Sequence, residues 1–201
     1  MVIRKGEPWG VGATCPDDLV TATTDAELAD LLAARSADAL TVSGGDLHRT
    51  VGSPRLVAGA PARLVPVDLL RVELDGSPEI AVAHVVARRP GWRGWWLGPL
   101  HAVCNAQFAG RWDVAPGGHP NDGRAEVIDV DAAMSWRQRW GARRRLPSGT
   151  HLPHPDIRLT HRSEVTWELD GTQMVWVDGR RRGRPRTVRV TVEPDAYELH
   201  V

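Results

Sequence analysis

The sequence predicts a mainly β protein of the α+β class: an antiparallel β-sandwich or distorted barrel carrying a few helices. Three observations predict it. From Leu64 onward apolar residues recur with a period of two, as in "RLVPVDLLRVEL" and "TVRVTV". Asp-Gly pairs at 122–123, 170–171 and 178–179 supply turns between such stretches. Only two segments carry a helical pattern, and there is no internal repeat or low-complexity stretch.

In chain order, residues 1–20 are punctuated by Gly6, Pro8, Gly10, Gly12 and Pro16 and read as irregular. The opening "MVIRKGEPWG" lacks the apolar run of a signal peptide. "TTDAELADLLAARSADA" (23–39) predicts a helix capped by Thr24 or Asp25, with Leu28, Leu31 and Leu32 on one face. "ALTV" (39–42) reads as a short strand entering a glycine turn. "RLVPVDLLRVEL", "EIAVAHVVA" and "AEVIDVD" are strand-like, and a second helix is expected around 132–145, where Trp136 and Trp140 lie one turn apart. "EVTWEL" puts Val165, Trp167 and Leu169 on one face. Asp170-Gly171 then predicts a hairpin into "TQMVWVDG", with Trp167 and Trp176 as cross-strand core residues. "TVRVTV" and "AYELHV" continue the alternation through Val188, Val190, Val192, Tyr197, Leu199 and Val201.

Composition narrows the function classes. A chain of 201 residues makes one large domain or two small ones, and 25 basic against 25 acidic residues give no global pull toward nucleic acid or an acidic partner. Positive charge is nevertheless clustered, at Arg137, Arg139, Arg143, Arg144 and Arg145 and at Arg180, Arg181, Arg182, Arg184 and Arg186. Lys5 is the only lysine, so a bias toward GC-rich coding explains part of this arginine use. Cys15 and Cys104 form neither metal spacing nor a disulfide framework, as in a reducing cytosol. The longest apolar run, "IAVAHVVA" (80–87), is far short of the roughly 20 residues of a membrane span. A soluble, cytoplasmic protein is expected, one still able to touch a membrane surface.

Several features invite a functional and a structural reading side by side. In "SGGDLHRTVG" (43–52), Gly44-Gly45 can free the backbone to wrap a phosphate with Asp46 near a metal, or can form a strand-to-helix turn with Asp46 as N-cap. His151 and His154 are spaced like metal ligands, but no third ligand is evident, and a loop packed by Pro153 and Pro155 is the favoured reading. "PGWRGWWLGP" places Trp92, Trp95 and Trp96 in a turn-rich loop, either an interfacial patch or a lid on the core. The Arg runs can meet an anionic headgroup, RNA or a membrane surface, or form a solvated helix face and a hairpin tip.

Read from residue 39 to the end, the order of motifs resembles the diacylglycerol kinase and sphingosine kinase family of lipid kinases. "SGGDLHRTVGSP" is similar to that family's G-T-G/T-N-D-[FL]-A-R-x-L-G-x-P segment, with Asp46 and Arg49 at its Asp and Arg; "VPVDLLRVELDG" resembles its D-x-x-x-V strand, with Asp68 at the Asp. "CNAQFAGRWDVAPGGHPNDGRAEV" matches the stretch in which Asn105, Ala115-Pro116 and Asp122-Gly123 fall in place. "HLPHPDIRLTHRSEVTWELDGTQMVWVDGRRRG" resembles the H-x-x-x-P-x-V…DGE run, and "RVTVEPDAYELHV" the closing segment.

The resemblance implies a β-sandwich like the C-terminal, lipid-binding domain of lipid kinases (53–201), preceded by a short α/β segment ending in the glycine loop (1–52). It implies cofactor contacts at Gly44, Gly45, Asp46 and Arg49, and a metal site from Asp46, Asp122 and Asp178. Asp178 stands at the catalytic turn, and Arg180 stands where the family's D-G-E has the glutamate thought to act as general base. A guanidinium stays protonated and cannot take that proton. The family's G-G-D-G-T loop, on a preceding α/β domain, is not found before residue 39, and its Asn ahead of the Asp is Gly45. The expectation is therefore a degenerate, non-catalytic relative that binds a lipid, an isoprenoid-like ligand or a protein partner, with no cofactor. Two alternatives stand: a lipid-kinase half using ATP and Mg²⁺ with a nucleotide-binding domain supplied by a partner, or a binder of anionic surfaces or nucleic acid through its arginines, nucleic acid being the less favoured.

Overall fold

The structure, a computed structural model, describes residues 8–201, so the reading of "MVIRKGE" at the start lies outside the described residues. The elements run β1 (Val11–Thr14), β2 (Val20–Ala22), α1 (Asp25–Ala34), β3 (Leu40–Val42), α2 (Gly45–Thr50), β4 (Pro61–Leu74), β5 (Ser77–Ala81) and β6 (His84–Arg88). A 3-10 turn (Trp92–Trp95) leads to β7 (Leu100–Cys104), β8 (Phe108–Ala109), β9 (Trp112–Asp113), β10 (Ala125–Val130) and α3 (Trp136–Arg145). The chain closes with β11 (Ile157–Arg162), β12 (Glu164–Glu168), β13 (Met174–Val177), β14 (Arg180–Gly183) and β15 (Thr187–His200). The mainly β, α+β architecture is as expected, although the segment read as irregular contains β1.

Two antiparallel sheets face each other. One has the order β1-β4-β15-β12, with β5 also on β4; the other runs β11-β10-β7-β6-β13-β14. Between them, Val72, Trp167 and Val190 of the first sheet meet Val85, Val103, Val127 and Val175 of the second. Each fully buried aliphatic side chain of this kind contributes about 1.5–3 kcal/mol. Outside the first sheet, β2 and β3 pair in parallel around α1. Leu28 and Val42 of this βαβ piece, with Leu47 of α2, share a second core with Val65, Val67 and Leu199 of the long strands.

Three expectations need correction, each for a packing reason. Asp170-Gly171 does not close a hairpin. Instead β12 pairs with β15 and β13 with β6, so the chain crosses from one sheet to the other there. A hairpin would set two apolar faces side by side, whereas the crossing sets them face to face and buries both. Asp170 shapes that corner by accepting from Thr172 N–H at 2.8 Å. Trp167 and Trp176 therefore sit in different sheets and are not cross-strand neighbours. Second, "EIAVAHVVA" is not one strand but β5 and β6, again in different sheets. Third, the first helix stops at Ala34 rather than 39. Arg35 turns left-handed (φ 49°), and its N–H and that of Ser36 bond back into the last turn. Thr24 caps the other end as expected, accepting from Glu27 N–H at 3.1 Å.

The break between β5 and β6 strips three amides of their ladder partners, and one carboxylate collects them. Asp178 accepts from Val82 N–H at 2.8 Å, Ala83 N–H at 2.9 Å and His84 N–H at 2.8 Å, while its own N–H donates to His84 O at 2.9 Å. It does so from the turn joining β13 to β14, where Asp178 (φ 45°) and Gly179 (φ 77°) both adopt the left-handed conformation of a tight hairpin. Replacing Asp178 with Ala leaves three enclosed N–H donors unanswered. At about 1 kcal/mol or more each, the loss is roughly 3 kcal/mol, or about 6–12 °C in Tm for a chain of this size. Thermal denaturation followed by circular dichroism checks this; an unchanged Tm would show that the corner holds without the carboxylate.

Candidate functional site

The glycine loop is a strand-to-helix turn with the amides of Asp46 and Leu47 already engaged. Gly44, not Asp46, is the N-cap of α2, and Gly45 takes φ 93°. Asp25, at the start of α1, accepts from Asp46 N–H at 2.7 Å and Leu47 N–H at 3.0 Å. The close approach needs both glycines. A Cβ on Gly45 would fall 2.5 Å from Asp25 Oδ1, and one on Gly44 would fall 2.4 Å from Thr23 O. The chain's own carboxylate thus lies where a phosphate was expected. Burial pushes the Asp25 carboxyl up to about 6, against the two backbone donors that lower it.

Asp46 points away from that turn. Its Oδ1 accepts from Gly110 N–H and its Oδ2 lies 3.5 Å from His84 Nε2. Burial pushes its carboxyl up, but His84 and the Gly110 N–H outweigh burial and hold it below the usual carboxylate range. Arg49 donates to Gly110 O and lies 4.1 Å over the Phe108 ring. The α2 residues therefore clamp the β8–β9 hairpin.

The other carboxylates matched by motif also hold backbone. Asp68, fully buried on β4, accepts from Gly123 N–H (2.7 Å), Asp195 N–H (2.9 Å) and Asn121 Nδ2 (3.2 Å). Asn105 Nδ2 donates to Asp68 O and Val82 O. Asp122 turns its own loop by accepting from Arg124 N–H at 2.9 Å. Asp46, Asp122 and Asp178 are not brought together, and among the described residues no group of three or more His, Cys, Asp or Glu is placed to hold a metal ion. Arg180 forms a two-pronged pair with Asp30 of α1, at 2.7 and 2.6 Å. His154 Nδ1 accepts from Asp156 N–H, while His151 is buried elsewhere.

A larger, more polar hollow runs beside Asp178 and Arg180, but the more apolar one lies on the outer face of the six-stranded sheet, at a place the sequence did not indicate. Its floor is Val86, Leu100, Ala102, Ile128, Val130 and Ile157. Met134, Ala142 and Leu146 roof it from α3 and its flanks, and Trp95, Trp96 and Trp112 wall it. The cavity measures about 190 Å³. Its few polar members are Arg139, Arg143, His84 and His151. Arg139, expected on a solvated helix face, is instead buried: it donates to Met134 O (3.2 Å), Asp131 O (2.9 Å) and Gly98 O, tying the Trp loop to α3. Arg143 lies 4.5 Å over Trp112 and 5.3 Å over Trp96 at the cavity's edge. The Trp loop is thus partly lid, through Trp95 and Trp96, and partly surface, through Trp92.

One end of the cavity carries ionisable groups that sequence reasoning missed. His84 and Cys104 are register partners on β6 and β7, and Cys104 is in turn the partner of Glu126 on β10. His84 Nε2 meets Phe108 O at 2.7 Å, while its Nδ1 is enclosed without a hydrogen-bond partner. Desolvation pushes this imidazole down, but Cys104 and Asp46 beside it raise it well above the ordinary value. Glu126 is 2% exposed, and burial, aided by Asp122, pushes it up to about 7. The only signal for either was a charged residue at an apolar-phase position, His84 in "IAVAHVVA" and Glu126 in "AEVIDV".

No family model matches the chain, and no curated protein does. Solved structures do. A diacylglycerol kinase crystal structure from Bacillus anthracis str. Sterne superposes with a TM-score of 0.62 at 14% identity, covering 90% of this chain and 75% of that one. A putative diacylglycerol kinase from the same strain gives 0.62 at 13% identity, covering 90% and 77%. A crystal structure of a putative diacylglycerol kinase from that strain gives 0.63 at 12% identity, again covering 90% and 77%. The fold is diacylglycerol-kinase-like, and identities this low speak to the fold alone.

Glu126, beside Cys104 but outside the cavity lining, makes the chain's stability depend on pH. Its folded-state pKa exceeds the unfolded value of 4.5, so the folded chain binds more protons between about 4.5 and 7 and loses stability as pH rises through that window. At 1.36 kcal/mol per pKa unit, discounted for partial solvation, the penalty at pH 8 is about 1–3 kcal/mol. Glu126→Gln is therefore expected to melt higher than the parent at pH 8 and equally with it below pH 4.5. A Tm difference that did not vary with pH would assign Glu126 a packing role only.

Proposed function

We propose that this protein is a non-catalytic, lipid-kinase-like binder that takes a single aliphatic chain, acyl or isoprenoid, into the cavity beneath α3. The observation that carries the reading is the cavity lining, almost wholly aliphatic and aromatic along a stretch of sheet that would otherwise face water. At about 190 Å³ it exceeds the roughly 150 Å³ that admits benzene in an engineered apolar cavity. It is smaller than the roughly 300–1,000 Å³ usual for larger organic ligands. One slender chain fits that range better than a two-chain glycerolipid. Arg143 at the edge supplies a cation for an anionic or hydroxylated head.

Two further observations support binding without phosphoryl transfer. Transfer requires a grip on the triphosphate and its metal and a group to steer the attacking hydroxyl. The Asp46 and Leu47 amides that follow Gly45 are held by Asp25. At the base position, Arg180 is a permanent cation occupied by Asp30.

Mass spectrometry of organic extracts from the purified chain is expected to find a single-chain lipid at near-stoichiometric amount. Ala142→Phe or Ala102→Leu, which fill the cavity from roof or floor, should each cut binding of a fluorescent fatty acid by at least tenfold while leaving Tm the same or higher. Undiminished binding in both variants would move the ligand elsewhere. Robust ATP- and Mg²⁺-dependent phosphorylation of diacylglycerol, ceramide or sphingosine by the purified chain would overturn the non-catalytic part.

A further inference from the structure

Among the described residues, five of the eight large exposed apolar side chains, and all of the tryptophans among them, gather in two elements: Trp92 (69%), Trp95 (39%) and Leu97 (49%) in the 92–97 loop, and Trp136 (57%) and Trp140 (52%) on α3; the other three are valines, Val11, Val20 and Val57. Those elements are one surface: the Trp96 and Trp140 rings lie 5.9 Å apart, Arg143 reaches over Trp96 from α3, and Arg139 donates to Gly98 O. The same two segments, 88–99 and 135–147, hold Arg88, Arg89, Arg93, Arg137, Arg139, Arg143, Arg144 and Arg145, and no Asp or Glu. In a chain of zero net charge, this is a pronounced separation of charge.

We propose that this face docks the protein on an anionic lipid bilayer. Indole is half apolar and half wet, which suits the headgroup zone, and arginine beside it can keep its stem among apolar groups with its guanidinium at phosphate level. Each arginine brought near an anionic surface adds a salt-sensitive attraction. The arrangement of the rings favours a bilayer over single-stranded nucleic acid. A base-stacking platform needs open aromatic faces. Here Arg93 lies 5.7 Å over Trp92, Arg137 lies 5.4 Å over Trp136, and Trp140 is tilted against Trp96. Trp95 and Trp96 belong both to this face and to the wall of the cavity, so a docked molecule presents the cavity edge to the membrane.

The test is co-sedimentation of the full chain with vesicles in 0.1 M NaCl. Vesicles of phosphatidylcholine with phosphatidylglycerol should bind at least tenfold more tightly than phosphatidylcholine alone, and raised salt should weaken that binding. Trp92→Ala/Trp136→Ala/Trp140→Ala and Arg137→Gln/Arg144→Gln/Arg145→Gln should each lose at least tenfold. These side chains are exposed, so Tm should stay unchanged, which keeps the loss from being one of folding. Ala142→Phe, which closes the cavity, should dock as the parent does, so docking and chain binding can fail separately. Equal partitioning onto the two vesicle types, parent-like binding by both triple variants, or tighter binding to a 20-nucleotide RNA than to the anionic vesicles in the same salt would each overturn the proposal.

Discussion

The sandwich depends on how its chain passes from one sheet to the other, and at the most enclosed crossing that task falls to a single carboxylate. Strands β5 and β6 are consecutive in sequence but belong to opposite sheets, and between them Val82 and Ala83 extend neither ladder, while His84 opens β6. Their three N–H groups end on Asp178, which reaches across from the β13–β14 turn. Burial pushes this carboxyl upward while the three donors pull it down. The same corner is braced from behind by Asn105, whose amide spans the carbonyls of Val82 and Asp68. Asp68 in turn fixes the 121–123 loop and the bulge of β15 at Asp195. These contacts form one polar chain running through a mostly aliphatic interior. Because buried polar groups are costly when only partly satisfied, the links must all be present together.

That chain explains what the sequence could and could not reveal. Asp68, Asn105, Asp122 and Asp178 are the positions through which the resemblance to lipid kinases was recognised, and in the structure each of them organises backbone. A motif of this kind identifies a fold because the fold's corners need particular acceptors at particular places. It says little about chemistry, since a residue can keep its structural contact after any catalytic contact has gone. Gly44 and Gly45 illustrate the same point. Their backbone freedom was legible, and it proves to be needed so that Asp25 can approach, with no bound ligand involved.

Apart from β1, which lies in the segment read as irregular, and the early end of α1, the failures were of pairing rather than of element type. Period-two alternation in "EVTWEL" and "TQMVWV" correctly marked strands, but alternation cannot say which strand lies opposite, because a hairpin and a sheet-to-sheet corner bury the same residues. Asp-Gly was decisive at 178–179, where both residues turn left-handed. At 170–171 it was misleading, because the flanking strands find better partners in β15 and β6. His84 and Glu126 were read as part of strands, and only the lateral register of β6, β7 and β10 places them around Cys104. Such proximity across three strands leaves no trace along the sequence.

The cavity has a cause in the composition of α3. A helix laid on an apolar sheet ordinarily turns its large side chains inward. In "WRQRWGARRR" the order is reversed: Trp136 and Trp140 face solvent, and the buried positions are Ala142 and Arg139. Ala142 is too small to reach the floor, and Arg139 spends its length on the carbonyls of Gly98, Asp131 and Met134 rather than filling space. The sheet below, with Val86, Ala102, Ile128 and Val130, is therefore roofed but not packed. Close-packed interiors are the rule, so an unfilled apolar volume beneath an inside-out helix is a departure that costs stability. The capping box of Ser135 and Gln138 and the buried Arg139 hold the helix in that orientation despite the cost. The space below α3 and the tryptophans above it thus follow from one choice of which residues the helix turns inward.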